Sequence, residues 1–205
     1  MKRRANFATP RRSLQAGFSL VELVVSLAVI LIISAVAIPV IVHTLRVYQL
    51  NSTSSQLAGI LKFTRFEAIR RNKQVSCRIV PNGPNWQVWA DSDDNSLLNG
   101  PEPQIIVTGS DTLLPAGSAP NPAAIITALG PGVGGAGLTL TVRSGAAGDI
   151  RFDQRGALVN GTAIYVLYLG NPVDTSFGYR AVLVLPSGGV QVWTASNAGD
   201  WKRLS

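Results

Sequence analysis

The sequence predicts an α+β protein, with one long N-terminal helix packed on a C-terminal antiparallel β-sheet domain. Three observations predict it. Leu23–Val42 is a run of 20 residues without a charge. Beyond it, apolar residues recur at helical spacing, and after residue 74 short stretches of β-branched and aromatic residues alternate between Gly, Pro, Asn and Ser.

The chain has 205 residues, 46% hydrophobic and 14% charged, which excludes a disordered polyelectrolyte. Its formal charge of +7 is unevenly placed. Lys2, Arg3, Arg4, Arg11 and Arg12 lie in the first 17 residues, and every acidic residue lies after Gly17. Without that segment, 13 basic and 11 acidic residues leave a net of +2, a poor basis for a nucleic-acid-binding domain. Cys77 is the only cysteine, and the only histidine, His43, adjoins the apolar run, so a Cys/His metal centre or a Ser-His-Asp triad has almost nothing to be built from. Paired carboxylates in a supporting context and a phosphate loop are missing too, so no enzyme is expected.

Residues 1–17 are basic. At about 1.5 Å per residue, the apolar run that follows spans the roughly 30 Å hydrocarbon layer as a helix. Positive charge ahead of it keeps that end in the cytoplasm and exports the remainder. A secretory signal peptide would instead carry small residues and a cleavage site after its apolar region. An uncleaved signal anchor explains the hydrophobicity and orientation equally well. Pro39 removes one helical donor late in the run, so a kink or local melting is expected there.

The hexapeptide Gly17-Phe18-Ser19-Leu20-Val21-Glu22, set between the basic leader and the apolar run, resembles the signal of type IV prepilins. The resemblance implies cleavage by a prepilin peptidase between Gly17 and Phe18, and N-methylation of Phe18. It also implies an assembly role for Glu22, pairing with the free amine of Phe18 on a neighbouring subunit. The organisation that follows is a cleaved leader at 1–17, a transmembrane helix at 18–42, an amphipathic continuation at 43–73 and a β-rich domain at 74–205.

In the continuation, Val47, Leu50, Leu57, Leu61 and Ala68 form a stripe, with Ser54 and Thr64 filling it. One helix is expected from about Phe18 to Asn72, its second half turned onto a sheet. The helix end carries Arg65, Arg70, Arg71 and Lys73, which the helix dipole favours. Strands are expected at Val75–Val80, Trp86–Ala90, Ile105–Val107, Leu138–Arg143, Asp149–Phe152, Ala163–Leu169, Tyr179–Leu185 and Val190–Thr194. The last two form a hairpin at Pro186-Ser187-Gly188-Gly189. Residues 108–137, rich in Gly, Pro and Ala, are expected to be an irregular loop.

Arg65, Glu67, Ala68, Ile69, Arg71 and Val75 fit the pattern at the helix-to-strand junction of GspH/FimT-type minor pilins and pseudopilins. The F-D-Q-R-G-A-L segment from Phe152 and the terminal hairpin are similar to that family as well. The resemblance implies a pilin-like fold. It implies a subunit of a type II secretion pseudopilus or a type IV pilus, at the tip. The implied partners are other pilins or pseudopilins, prepilin peptidase, an inner-membrane assembly platform and membrane lipid. The implied location is the bacterial inner membrane, single-pass, with a cytoplasmic N-terminus and a periplasmic domain. The alternative within the family is a DNA-binding minor pilin for DNA uptake. Its arginine motif would fall on Gly188-Gly189-Val190-Gln191, where both arginines are absent; Trp201, Lys202 and Arg203 leave a tail-based version.

One acidic segment has metal-binding spacing. Asp91, Asp93, Asn95 and Glu102 occupy positions one, three, five and twelve of an EF-hand loop, which would make a Ca²⁺ site. Ser96 stands where that loop takes glycine, Pro101 precedes the last ligand, and a strand leads in. An acidic turn between strands accounts for the same residues without an ion.

Overall fold

The computed structural model describes residues 17–108, 111–114, 120, 123–129, 138–139, 148–159 and 164–204. The leader lies outside these residues, apart from Gly17. The chain divides into two units, Met1–Val42 and His43–Ser205.

Helix α1 (Leu20–Arg71) begins in the first unit and ends in the second. In the first unit its large apolar side chains, from Leu20 to Val42, are exposed. It is the one helix among the described residues long and apolar enough to cross a membrane. Pro39 lies inside α1 without interrupting it, so no melting occurs there. The lost donor is one bond in a helix that is bonded on both sides.

In the second unit the expected stripe becomes core. Leu50, Leu57, Leu61 and Ala68 are fully buried, with Ser54 and Thr64 beside them. Each hydroxyl bonds back to its own helix, Ser54 to the Asn51 carbonyl and Thr64 to the Ile60 carbonyl, so neither is buried unsatisfied. α1 stops in a left-handed cap: Asn72 takes φ 50° and the Lys73 amide reaches the Ala68 carbonyl.

The strands are β1 (Val75–Asn82), β2 (Asn85–Asp91), β3 (Gln104–Val107), β4 (Thr112–Leu114), β5 (Leu138–Thr139), β6 (Gly148–Phe152), β7 (Ile164–Gly170), β8 (Tyr179–Val184), β9 (Val190–Ala195) and β10 (Lys202–Arg203). They form two sheets, ordered β3-β2-β1-β6 and β10-β9-β8-β7-β4. Both contribute to the core around α1: Val75, Cys77, Ile150 and Phe152 from the first, Leu167, Leu169, Val182 and Val184 from the second. The alternate residues of the second sheet, Val166, Tyr168, Ala181 and Leu183, build a separate core with Ile125 and Trp201. Burial on both faces explains why β7 and β8 are near-continuous apolar runs.

One expectation needs correction. The stretch 108–137 is not wholly irregular. It contains β4, paired with β7 at Leu113↔Leu169, and a second helix, α2 (Ala123–Leu129), whose Ile125 is fully buried. A three-residue strand is too short to display alternation, and its partner lies more than fifty residues away. The strand expected at Leu138–Arg143 is described only over Leu138–Thr139; the rest of that stretch lies outside the described residues. β5 pairs with β7 in parallel, off the main strand path; the strand pairs along both sheets are antiparallel, in the expected α+β arrangement. β10 and a 3₁₀ turn at Thr175–Phe177 are additional.

Candidate functional site

The helix-to-strand junction is built by an ion-pair cluster within α1 and two contacts that tie α1 to distant chain. The Glu67 carboxylate, 7% exposed, accepts two hydrogen bonds from Arg70 and one from Arg71. The Arg70 bond is the main reason its carboxyl is lowered to about 2; burial works against this and Arg71 adds to it. Arg71 also reaches the Ser92 carbonyl at 3.3 Å, beyond the end of β2. Arg65 donates from Nε to the Gly156 carbonyl at 2.9 Å.

Gly156 belongs to the segment after β6. Asp153 Oδ1 accepts from the Arg155 and Ala157 amides at 2.9 Å each, closing a turn in which Gly156 has φ 76°. Gly188, in the β8–β9 turn, has φ 77°, and a Cβ there would lie 1.7 Å from the Gly156 carbonyl oxygen. Arg65, Gly156 and Gly188 therefore form one interlocked point joining helix, first sheet and hairpin.

A family profile for the type II transport protein GspH matches residues 53–189, more than half of the chain. The chain belongs to the GspH family. The match begins in α1 and ends in the β8–β9 turn, so it contains the whole junction. The prokaryotic N-terminal methylation motif matches residues 12–38. No curated protein and no solved structure gives a significant match. Pilins and pseudopilins are structural subunits, in line with the expectation of no enzyme. The GspH family and the methylation motif together support a minor pilin of a type II secretion system or a type IV pilus.

At the head of this GspH-family chain, Gly17 and Phe18 precede the helix and Phe18 is 79% exposed. Glu22 lies in the first turn of α1, where the positive end of the helix dipole favours a carboxylate.

The acidic segment brings three of its four expected residues together. One oxygen from each of Asp91, Asp93 and Glu102 lies within 4.8 Å of the others. Asn95 is occupied otherwise: its Oδ1 accepts from the Leu97 amide and its Nδ2 donates to Asp93. The carboxylates already have protein donors. Asp91 accepts from Arg78 Nε at 2.9 Å and from the Ser96 amide at 3.0 Å; Glu102 accepts from the Ser92 amide at 2.6 Å and the Asn99 amide at 3.0 Å. Burial pushes the Asp91 carboxyl up, but Arg78 and the Ser96 amide outweigh it and hold it below its usual value. The tight turn is made by Asp94 at φ 62° and Ser96 at φ 65° rather than by glycine. Arg78, from β1, pairs with Asp91 at 2.9 Å and lies 3.6 Å from Asp94. Chelation of divalent ions is therefore expected to leave the melting temperature unchanged, whereas Arg78→Ala lowers it. A rise in melting temperature on adding Ca²⁺ would identify the carboxylates as an ion site instead.

One feature was not anticipated from sequence. On the side of α1 away from its buried stripe, Phe63 (43%), Phe66 (66%) and Ile69 (43%) are exposed. Phe63 also lines a shallow, largely apolar cleft of about 230 Å³ with Gly59, Ile60 and Ile105. The spacing 59, 63, 66 was visible in the sequence as a second helical stripe, but the first stripe had already accounted for the helix.

Proposed function

We propose that this GspH-family chain is a minor pseudopilin or pilin, cut by prepilin peptidase between Gly17 and Phe18 and methylated on Phe18. It waits in the bacterial inner membrane, N-terminus cytoplasmic and domain periplasmic, and then enters a filament, at the tip. The observation that carries this reading is α1 itself. A single helix begins just after the Gly17-Phe18 junction and ends in the Glu67–Arg71 staple of the GspH domain.

The exposed Phe63–Phe66 face supports assembly, because an apolar helix face beside an apolar cleft is the kind of surface a neighbouring subunit covers. The DNA-uptake reading has less support. Trp201, the aromatic of the tail, is 5% exposed, packs 5.7 Å from the Tyr168 ring and donates to the Pro120 carbonyl, so it is not free to stack on a base.

Co-isolation through a C-terminal tag after mild envelope extraction tests the proposal and selects the machine. Pseudopilins and secretion components as partners assign it to secretion; a major pilin assigns it to a pilus; recovery of neither contradicts assembly. Phe66→Asp is expected to reduce co-isolated partners by about tenfold while leaving the melting temperature nearly unchanged, because the side chain is exposed and a well-packed contact is worth about 1–2 kcal/mol.

A further inference from the structure

The apolar run ends at Val42, and the chain enters the folded domain at His43. The His43 ring packs on Phe177, centroids 5.4 Å apart, so the loop between β7 and β8 lies beside the start of the domain. That loop is braced. Asn171 Oδ1 accepts from the Val173 amide at 2.8 Å and the Asp174 amide at 3.0 Å, and Asp174 Oδ1 accepts from the Ser176 amide at 3.0 Å. The result is that Val173 is held out with 91% of its surface exposed. A flexible loop could fold such a side chain away; a braced one cannot.

Leu45 (54% exposed) and Tyr48 (70%) lie on the other side of the helix, about 140–160° round from His43 at 3.6 residues per turn. Tyr48 is only about 7.5 Å along the axis from His43, and helical side chains lean back toward the N-terminus, here toward the apolar run. A headgroup layer is roughly 5–8 Å thick on each side of the hydrocarbon. Tyrosine, with an apolar ring and a polar tip, is favoured at that depth.

We infer that Val173, Phe177, Leu45 and Tyr48 form a collar around the helix that rests in the periplasmic headgroup layer, docking the GspH domain on the bilayer before the subunit is extracted. The occupant of this surface is phospholipid. The argument rests on the proposed membrane-spanning segment, because the collar directly continues it.

The test uses the full chain in vesicles of phosphatidylethanolamine and phosphatidylglycerol. Cys77 is fully buried, so a thiol-reactive fluorophore can be placed on Val173→Cys and, as a control, on Leu97→Cys in the acidic segment, where the side chain is 67% exposed. Flotation with the vesicles reports the spanning helix; quenching reports the collar. The expected result is several-fold weaker quenching by aqueous iodide, and stronger quenching by headgroup-attached nitroxide, at position 173 than at position 97, unchanged as protein is diluted into lipid. Equal iodide quenching at both positions in floating protein overturns the collar and leaves the spanning helix standing. Protection that fades on dilution assigns the surface to another subunit and overturns it as well. Failure to float overturns both.

Discussion

Glu22→Gln is expected to leave cleavage and membrane insertion intact and to remove the protein from filaments. An ionised acid near the start of a membrane helix is costly, though less so than the roughly 2.5–3.5 kcal/mol of a mid-bilayer charge. Glutamine keeps the shape and relieves that cost. If Glu22 were only tolerated, through contact with headgroups or with the positive end of α1, the variant would assemble as well as the wild type. If Glu22 instead pairs with the amine that cleavage creates on a neighbour's Phe18, the variant leaves that amine unpaired out of water. Breaking such a pair costs about 3–5 kcal/mol, and each 1.4 kcal/mol is about tenfold in an equilibrium. The share of protein in the sheared filament fraction, relative to membranes, should therefore fall by tenfold or more. Normal incorporation would reduce Glu22 to a residue that the membrane merely accommodates.

The second large effect is on stability. Gly188→Ala places a methyl group 1.7 Å from the Gly156 carbonyl oxygen, at a φ of 77° that L side chains rarely adopt. The backbone of one turn has to move, and the Arg65 bond to that carbonyl goes with it. Left-handed strain of about 1–3 kcal/mol and a lost charge-assisted hydrogen bond of about 1.5–3 kcal/mol give roughly 3–5 kcal/mol. For a domain of this size, that is a melting-temperature drop of about 10 °C. The neighbouring Gly189→Ala is the control. Its Cβ would meet only side-chain atoms at 3.5 Å and beyond, and its φ is unremarkable, so a change of about 1–2 °C is expected. Similar drops at both positions would mean that the interlock does not carry the junction.

The residues involved mark how far the sequence could be read. Leu50, Leu57, Leu61 and Ala68 were legible as core because helical periodicity is local. The N-terminal methylation motif, matched at residues 12–38, was legible too, because its signal lies in order along the chain. The pattern from Arg65 to Val75 was visible, but not what its members hold. Arg65 finds its acceptor 91 residues later, and Gly188, read only as a turn glycine, is required by Gly156. The division into two sheets was equally hidden. Alternation places a residue on a face, while β4 and β5 gain their identity from a shared partner, β7. In the acidic segment the spacing of Asp91, Asp93 and Glu102 was local and legible, whereas the pairing of Asp91 with Arg78 from β1 was not.

The identity of the mature N-terminus is the most direct test of the central proposal. Intact mass of the chain purified from the envelope should correspond to a protein beginning at Phe18 with a methylated amine, and Gly17→Val should retain the leader and stay out of filaments. A wild-type chain that keeps residues 1–17, or a Gly17→Val chain shortened to the same point, would contradict it and leave an uncleaved membrane anchor carrying a GspH-family domain.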